Sequence, residues 1–533
     1  MKRQNRSATI FNNVMGPIGV GPSTSNTCGP CRVAYLSGKL CEGTLKKARI
    51  VFPADGGYSS PNGKGMRSDY AFAHGLLGRL PDSPAPLLEA FHELKRQNVE
   101  IEFVVDETLP SGGAHLMSVL ELTDVNEVCT KVCGLSKGGG IIELIGIDDF
   151  QVSIGGEYNM LLVFVGENGT EAAGLAEELT QKYPELAAYE YETSETADRA
   201  LLLFPTYELF EDEKLQEIKR MAEVERACVL PAILPVVVKP QPQLPFSDAA
   251  ELEAYCGRGA TLTEAAVAYE KAVSGWDEKR ILEFALSAVR AMRNAVSCGL
   301  QPGLTFDGIV NPFASKMMER QEERAFNDGI VTKAAIYSLA IMEYSNASGV
   351  VVCMPTAGAA GVVAGALLAA AEQFKSSDDA VAKALLAAGA VGISISEDND
   401  FCGGVYGCQA EVGCASCMAA AGLVTLAGGT AQQAMNAASM ALQNMLGLIC
   451  DPVCGLVQVP CFSRNMSAAA NAIVCSNASM LGFDGVIPLQ DAFEAMKSSG
   501  SQLPAVLKGC GGGLCATARG KQLLKEYGES EKI

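Results

Sequence analysis

Positive charge is scarce in this chain: 41 Lys and Arg stand against 61 Asp and Glu, a formal net charge of −20. A phosphate backbone or an anionic bilayer is repelled by such a balance, so neither nucleic acid nor membrane is an expected partner. A small anionic substrate is not excluded, because it responds to the local field of a cleft. The first residues, Met1–Gly19, hold basic side chains but no unbroken apolar stretch, so no export signal is expected and a cytoplasmic location is. The longest apolar run, Gly349–Ala371, is interrupted by Pro355, Thr356 and four glycines. Its uninterrupted part, Ala359–Ala371, is too short for a bilayer, and no membrane span is expected. Histidine is nearly absent, with only His74, His92 and His115, and Trp276 is the single tryptophan.

What is present is core-forming material. A length of 533 residues asks for two to four domains, and 48% hydrophobic with 19% charged residues describes a globular protein with little disorder. Nineteen cysteines in a chain without export features read mainly as small buried hydrophobes, with a minority acting as ligands.

The pattern divides the chain into four parts. Residues 1–157 alternate glycine-rich turns with β-type runs (Ile101–Val105, Ile141–Ile145) around a helical stretch, Ala85–Gln97, and read as an α/β domain. Residues 158–215 give strand, helix and two further strands, a small α+β regulatory-type fold. Residues 216–247 hold Pro231, Pro235, Pro240, Pro242 and Pro245 and read as a semi-rigid linker. From Asp248 to Ile533 the pattern turns helical and largely apolar, so the fold class is multidomain with a large, mainly α-helical C-terminal part.

Three cysteines carry the chemistry: Cys408 in Gly407-Cys408-Gln409-Ala410-Glu411-Val412-Gly413, Cys450 in Cys450-Asp451-Pro452-Val453, and Cys461 in Val459-Pro460-Cys461. A zinc ribbon or ferredoxin brings its ligands in tight local clusters. Three scattered thiolates suit a cubane cluster held by three corners, its fourth iron open to substrate. Upstream, Gly349–Gly361 reads as an extended segment entering the Pro355-Thr356-Ala357-Gly358 turn and then a helix, whose first N–H groups offer a carboxylate site. The same turn also suits plain helix packing. Cys414-x-x-Cys417, Cys402 and Cys454 suit core packing. Cys28-Gly29-Pro30-Cys31 spells a thioredoxin-type dithiol, but no β-α-β frame surrounds it.

Together these phrases resemble the iron–sulfur L-serine dehydratases. Further matches are Asn346-Ala347-Ser348-Gly349, Leu446–Val453, Val457–Cys461 with Arg464-Asn465, and Gly511-Gly512-Gly513-Leu514. The resemblance implies a β-type part over 15–160, an ACT-type segment over 160–210 and an α-type part over 248–520, fused in one chain. It implies that Cys408, Cys450 and Cys461 hold a [4Fe–4S] cluster, without pyridoxal phosphate. Ser23, Ser25, Asn26, Thr27, Pro355, Thr356 and Gly358 are implied to bind a small amino or hydroxy acid. Deamination of serine or a related hydroxy acid to a keto acid and ammonia is the implied reaction. The glycine- and alanine-rich helices and the regulatory-type segment suit a homodimer.

The chain departs from the family at two histidines. Asn26 stands within Thr24-Ser25-Asn26-Thr27 where the family has Ser-Ser-His-Thr, and Met66 replaces the histidine of a Gly-Lys-Gly-His-Gly-Thr-Asp phrase. His115 matches a third family histidine, and Lys64 and Arg67 are candidates to take over the lost roles, Arg67 as a carboxylate clamp. A β-elimination on another hydroxy or thiol amino acid, and a non-catalytic iron–sulfur sensor, are the alternative readings. Cys510 and Cys515 are not assigned to the cluster.

Overall fold

Glycine and proline punctuate the chain where the elements change, and the computed structural model follows that punctuation over residues 8–15, 18–59, 66–112, 116–166, 172–186, 190–194, 199–239, 242–326, 329–396, 401–509 and 511–530. Lys64, His115 and Cys510 lie outside the described residues. Two units form: residues 25–239, and residues 1–24 together with 240–533.

The 25–239 unit is α/β. Its larger sheet has six strands in the order Glu100–Asp106, Leu45–Pro53, Met117–Asp124, Cys129–Gly138, Ile141–Ile147, Phe150–Ile154. The first pair is parallel, its crossover carrying helices Ser68–Leu76 and Ala90–Arg96; the other pairs are antiparallel. Along Cys129–Gly138 every second residue from Thr130 to Ser136 is buried, the alternation of a sheet covered on one face. Helix Cys28–Leu40 supplies Val33, Leu36 and Leu40 to the core beneath, with Ile50, Leu120, Val132 and Leu144. The expected helix Ala85–Gln97 starts later: Pro84 and Pro86 lack N–H groups, and an opening 3₁₀ turn, Leu87–Glu89, precedes the α-helix.

The smaller sheet is antiparallel, in the order Val224–Leu230, Asn159–Val165, Ala200–Thr206, Glu190–Thr193, with helices Ala172–Lys182 and Asp212–Ile218. The element order is βαββαβ, a split βαβ arrangement. Leu161, Val163, Leu202 and Phe204 face the helices, while Leu162, Phe164, Leu201 and Leu203 join the core of the larger sheet. Burial on both faces explains the unbroken apolar runs of these strands. Here the expected boundaries need correction. Val224–Leu230 is a paired strand inside the segment read as a linker, so the small fold extends past residue 215 and the proline-rich stretch begins only after Leu230.

The second unit is helical, and residues 8–24 belong to it rather than to the α/β domain expected over 1–157. A π-helical turn, Ile10–Val14, packs on helix Asp378–Ser394, where Cβ atoms at Gly389 and Gly392 would meet Ile10 and Val14. The Ile10 N–H donates to the buried Glu270 carboxylate at 3.0 Å. Strand Ile18–Val20 then pairs antiparallel with Val350–Val352. Such pairing joins segments far apart in sequence, which local patterning does not reveal.

Small residues let the helices approach. A Cβ at Gly361 would lie 2.5 Å from the Ser338 carbonyl oxygen, so helices Ile330–Asn346 and Ala360–Phe374 touch backbone to backbone. Two helical stretches, Ala357–Phe374 and Gln409–Leu426, are long and apolar enough to cross a membrane, the first being longer than the stretch expected from sequence. In them 78% and 83% of the residues are buried inside the protein, the signature of core helices.

Candidate active site

Within the helical unit, the strand Val350–Val352 leads through the cis Met354–Pro355 bond into the 3₁₀ turn Ala357–Ala359 and helix Ala360–Phe374. Thr356 occupies the N-cap position of that turn, yet its hydroxyl makes no cap. It donates instead to Glu411 Oε1 at 2.9 Å. Two turn amides are engaged: Ala359 N–H donates to Thr356 O, and Gly361 N–H donates to Asn465 Oδ1 at 3.2 Å.

Each cysteine of the triplet opens or follows a backbone break. Cys408 precedes the π-helical turn Gln409–Gly413, Cys461 begins helix Cys461–Met480 after the cis Val459–Pro460 bond, and Cys450 ends the Leu446–Ile449 loop. Gly407 has φ +84°, and a Cβ there would sit 2.5 Å from Leu448 O; glycine is what allows the Cys408 and Cys450 segments to meet. Their meeting is fixed by Gln409 N–H to Leu448 O at 3.2 Å and Gly447 N–H to Gln409 Oε1 at 2.9 Å. The Cys450 N–H donates to Leu507 O at 2.9 Å.

Helix Cys461–Met480 joins these parts. Asn465, fully buried, donates through Nδ2 to Gly358 O at 2.8 Å and to Cys461 O at 2.9 Å. One side chain therefore spans the glycine turn and the last cysteine. Arg464 donates to Ile449 O at 2.9 Å and pairs with Asp451 at 2.8 Å, and Asp451 accepts the Leu514 N–H at 2.8 Å.

The electrostatics link the same groups. The Cys408 thiol is held below its usual range, chiefly because the Cys450 thiol donates to it, with the Arg464 guanidinium alongside. Cys450 is pushed well up by that donation and by burial, and Cys461 by burial and the neighbouring charges. Glu411 acts on all three thiols, and its own carboxyl is raised by loss of hydration, against which the Thr356 hydroxyl works. Glu411, Gly358, Cys402, Cys450 and Cys461 remain half-buried among buried neighbours, so each keeps some accessible surface. Among the described residues no three His, Cys, Asp or Glu side chains gather tightly enough for a single metal ion.

Pro355, Thr356, Gly358, Cys408, Cys450 and Cys461 are thus brought together, and Ser23 lies half-buried in the same unit, after the Ile18–Val20 strand. Ser25, Asn26, Thr27 and Arg67 belong to the α/β unit. There Asn26 Oδ1 accepts from the Ser68 hydroxyl at 3.3 Å, so the Asn26 loop meets the segment holding Met66, which is buried. Ser25 O accepts from Ser136 at 2.9 Å, Thr27 is buried, and Arg67 adopts φ +63° before helix Ser68–Leu76.

The remaining cysteines pack. Cys414, Cys417 and Cys454 are buried; Cys28 and Cys31 are buried free thiols, Cys31 donating to Arg79 O at 3.2 Å. Cys515 donates to Pro452 O at 3.2 Å. Cys402 is half-buried and feels the Glu411 charge. His74 is fully buried, its pKa pushed down to about 4 by burial and then by Arg79. Glu411 and Asn465 stand inside the cysteine-bearing sequence phrases with nothing in the pattern to mark them as functional. A carboxylate three places after Cys408 was the available signal, but spacing does not tell which way a π-helical turn aims it.

Residues 206–516 match the family described as serine dehydratase alpha chain. The match starts well before Asp248, taking in helix Asp212–Ile218 and strand Val224–Leu230. A probable L-serine dehydratase alpha chain of Bacillus subtilis is 35% identical over 267 residues, covering 50% of this chain and 89% of the relative. A probable L-serine dehydratase alpha chain of Latilactobacillus sakei is 40% identical over 206 residues, covering 38% of this chain and 99% of the relative. L-serine dehydratase 1 of Escherichia coli is 33% identical over 271 residues, covering 49% of this chain and 59% of the relative.

Proposed function

Because this chain belongs to the serine dehydratase alpha chain family, an L-serine ammonia-lyase-like enzyme, we propose that its helical unit carries a [4Fe–4S]-dependent site. The reaction is deamination of L-serine, or a related small hydroxy amino acid, to a keto acid and ammonia. The observation that carries this reading is the Asn465 bridge, which fastens the thiol-bearing helix to the Pro355–Gly358 turn. A purely electron-carrying or sensing centre has no need of that tie.

The donor set fits the cluster. Cys408, Cys450 and Cys461 are three thiols in mutual electrostatic contact, with Arg464 as counter-charge, and thiolates are the ligands iron–sulfur centres take. When bound, the cluster supplies a Lewis-acidic iron that polarises the substrate hydroxyl. The chain does the rest. Arg464 offsets the negative charge of the thiolates, and its pairing with Asp451 fixes it in place. Asn465 holds the turn at a constant distance from Cys461, which positions any substrate lying between them. The start of helix Ala360–Phe374 favours a substrate carboxylate. Pyridoxal phosphate has no role in this scheme.

The βαββαβ fold over 159–230 is read as an ACT-like regulatory segment, and a cytoplasmic homodimer completes the proposal. Asn26 and Met66 in place of family histidines motivate a substrate panel beyond serine. Anaerobically purified protein is expected to contain equal iron and labile sulfide and to release keto acid from L-serine. A colourless protein, or one holding zinc, would overturn the cluster; an intact cluster inert to serine, threonine, cysteine and related hydroxy acids would overturn the enzyme reading in favour of a sensor.

A further inference from the structure

We propose that Glu411 is the catalytic base of this site, accepting the Cα proton of the substrate; the assignment rests on the serine-dehydratase reading above. Its place is the first argument. Glu411 lies between the two halves of the site: Oε1 accepts from Thr356 at 2.9 Å, a Cβ on Gly358 would be 3.4 Å from Oε1, and all three ligand cysteines feel its charge. Room is made for it. A Cβ on Gly403 would fall 2.5 Å from Oε2, so glycine at that position is what lets the carboxylate lie there.

Its bonding is the second argument. A buried carboxylate kept for structure is normally paired with a cation or saturated with N–H donors. Among the described residues Glu411 has the Thr356 hydroxyl as hydrogen-bond partner, and no cation stabilises its charge. Thr356 in turn forgoes the capping bond its N-cap position offers. A hydroxyl taken from a helix cap to orient a half-open carboxylate follows the logic of a base aimed by a second group. Such a carboxylate, costly to folding and placed beside three thiols and the Pro355–Gly358 turn, is the mark of a functional group.

The step balances with no further reactant. Glu411 carboxylate takes the Cα proton, and the electron pair of that C–H bond forms the Cα=Cβ bond. The Cβ–O bond breaks with its pair on the departing hydroxide. The proton gained and the hydroxide lost sum to one water, and the aminoacrylate tautomerises and hydrolyses to keto acid and ammonia. Neither oxidant nor reductant enters.

The test is Glu411→Gln in the full-length, anaerobically isolated protein, with Thr356→Val beside it. Glu411→Gln is expected to keep the parent's iron and sulfide content and the parent's change in Mössbauer spectrum on adding L-serine. Keto-acid release should fall about 10²–10⁴-fold, with Cα proton exchange of serine in deuterium oxide lost in step. Without the cluster, its thermal midpoint should match or exceed the parent's, since an uncompensated buried charge has been removed. Thr356→Val should lower kcat about tenfold with KM little changed, the loss of one orienting hydrogen bond. Turnover by Glu411→Gln within about tenfold of the parent overturns the proposal, because a lost general base costs more than that. Loss of the cluster or a lowered apo-protein midpoint also overturns it, by making Glu411 structural. Failure of the parent itself to process serine is a different result, and removes the reading on which the assignment rests.

Discussion

The Asn465 side-chain amide meets the Gly358 carbonyl at 2.8 Å, joining the helix that begins at Cys461 to the turn that begins at Pro355. The same amide nitrogen reaches Cys461 O, and its oxygen accepts from Gly361 N–H. No other amino acid of that size offers two donors and an acceptor in this arrangement.

Asn465→Ala therefore strands Gly358 O, the Gly361 N–H and one acceptor site at Cys461, each inside the protein. A buried group left unpaired costs about 1–3 kcal/mol, so the variant should lose ~3 kcal/mol or more. Denaturant unfolding of the apo-protein measures this. An unchanged midpoint would mean that the turn and the thiol-bearing helix hold their places without Asn465.

Cys450→Ala should abolish cluster retention, whereas Cys31→Ala should leave it intact, as Cys31 is a buried thiol of the α/β unit bonded to Arg79 O. Iron and sulfide analysis decides. Full cluster content in Cys450→Ala would refute the ligand assignment.

Arg464→Ala removes the partner of Asp451, whose side chain is only 3% exposed. Breaking a buried ion pair from one side costs about 3–5 kcal/mol, because the remaining charge stays desolvated. Since Asp451 also accepts the Leu514 N–H, protease sensitivity should rise in the helix Ala518–Ser530. A variant as stable as the parent, with an unaltered cleavage pattern, would contradict the role given to this pair.

The N-terminal segment should loosen as pH rises. Burial pushes the Glu270 carboxyl up to about 8 from about 4.5, and its acceptor bond to Ile10 N–H only partly offsets this. Between those values the folded protein binds more protons than the unfolded chain, so the stabilisation is complete below about 4.5 and is lost as pH climbs through about 8. Hydrogen-exchange protection over residues 8–15, corrected for the intrinsic base-catalysed rate, should fall across that range in the parent and not in Glu270→Gln. Equal pH dependence in both would assign the effect elsewhere.

Legibility followed the range of the interactions. The Pro355–Gly358 turn and the three cysteine phrases were readable because backbone breaks and ligand chemistry are local in sequence. So were the strands near Ile101 and Ile141, whose side-chain pattern answers to one face of a sheet. The docking of residues 8–24 onto the helical unit was not, because it depends on Ile18–Val20 pairing with Val350–Val352 and on the absence of Cβ atoms at Gly389 and Gly392. Val224–Leu230 was hidden by the prolines that follow it. Glu411 stood in plain view within a quoted phrase, but its role depends on the Thr356 hydroxyl, which the sequence places far away.

The central claim is that the three cysteines hold a cluster with one iron open to serine. Mössbauer spectroscopy of iron-57-enriched protein, with and without L-serine, tests it most directly. The account predicts that one iron subsite of the cluster shifts on adding serine while the others stay unchanged. Identical spectra with and without serine, or iron absent altogether, would contradict it.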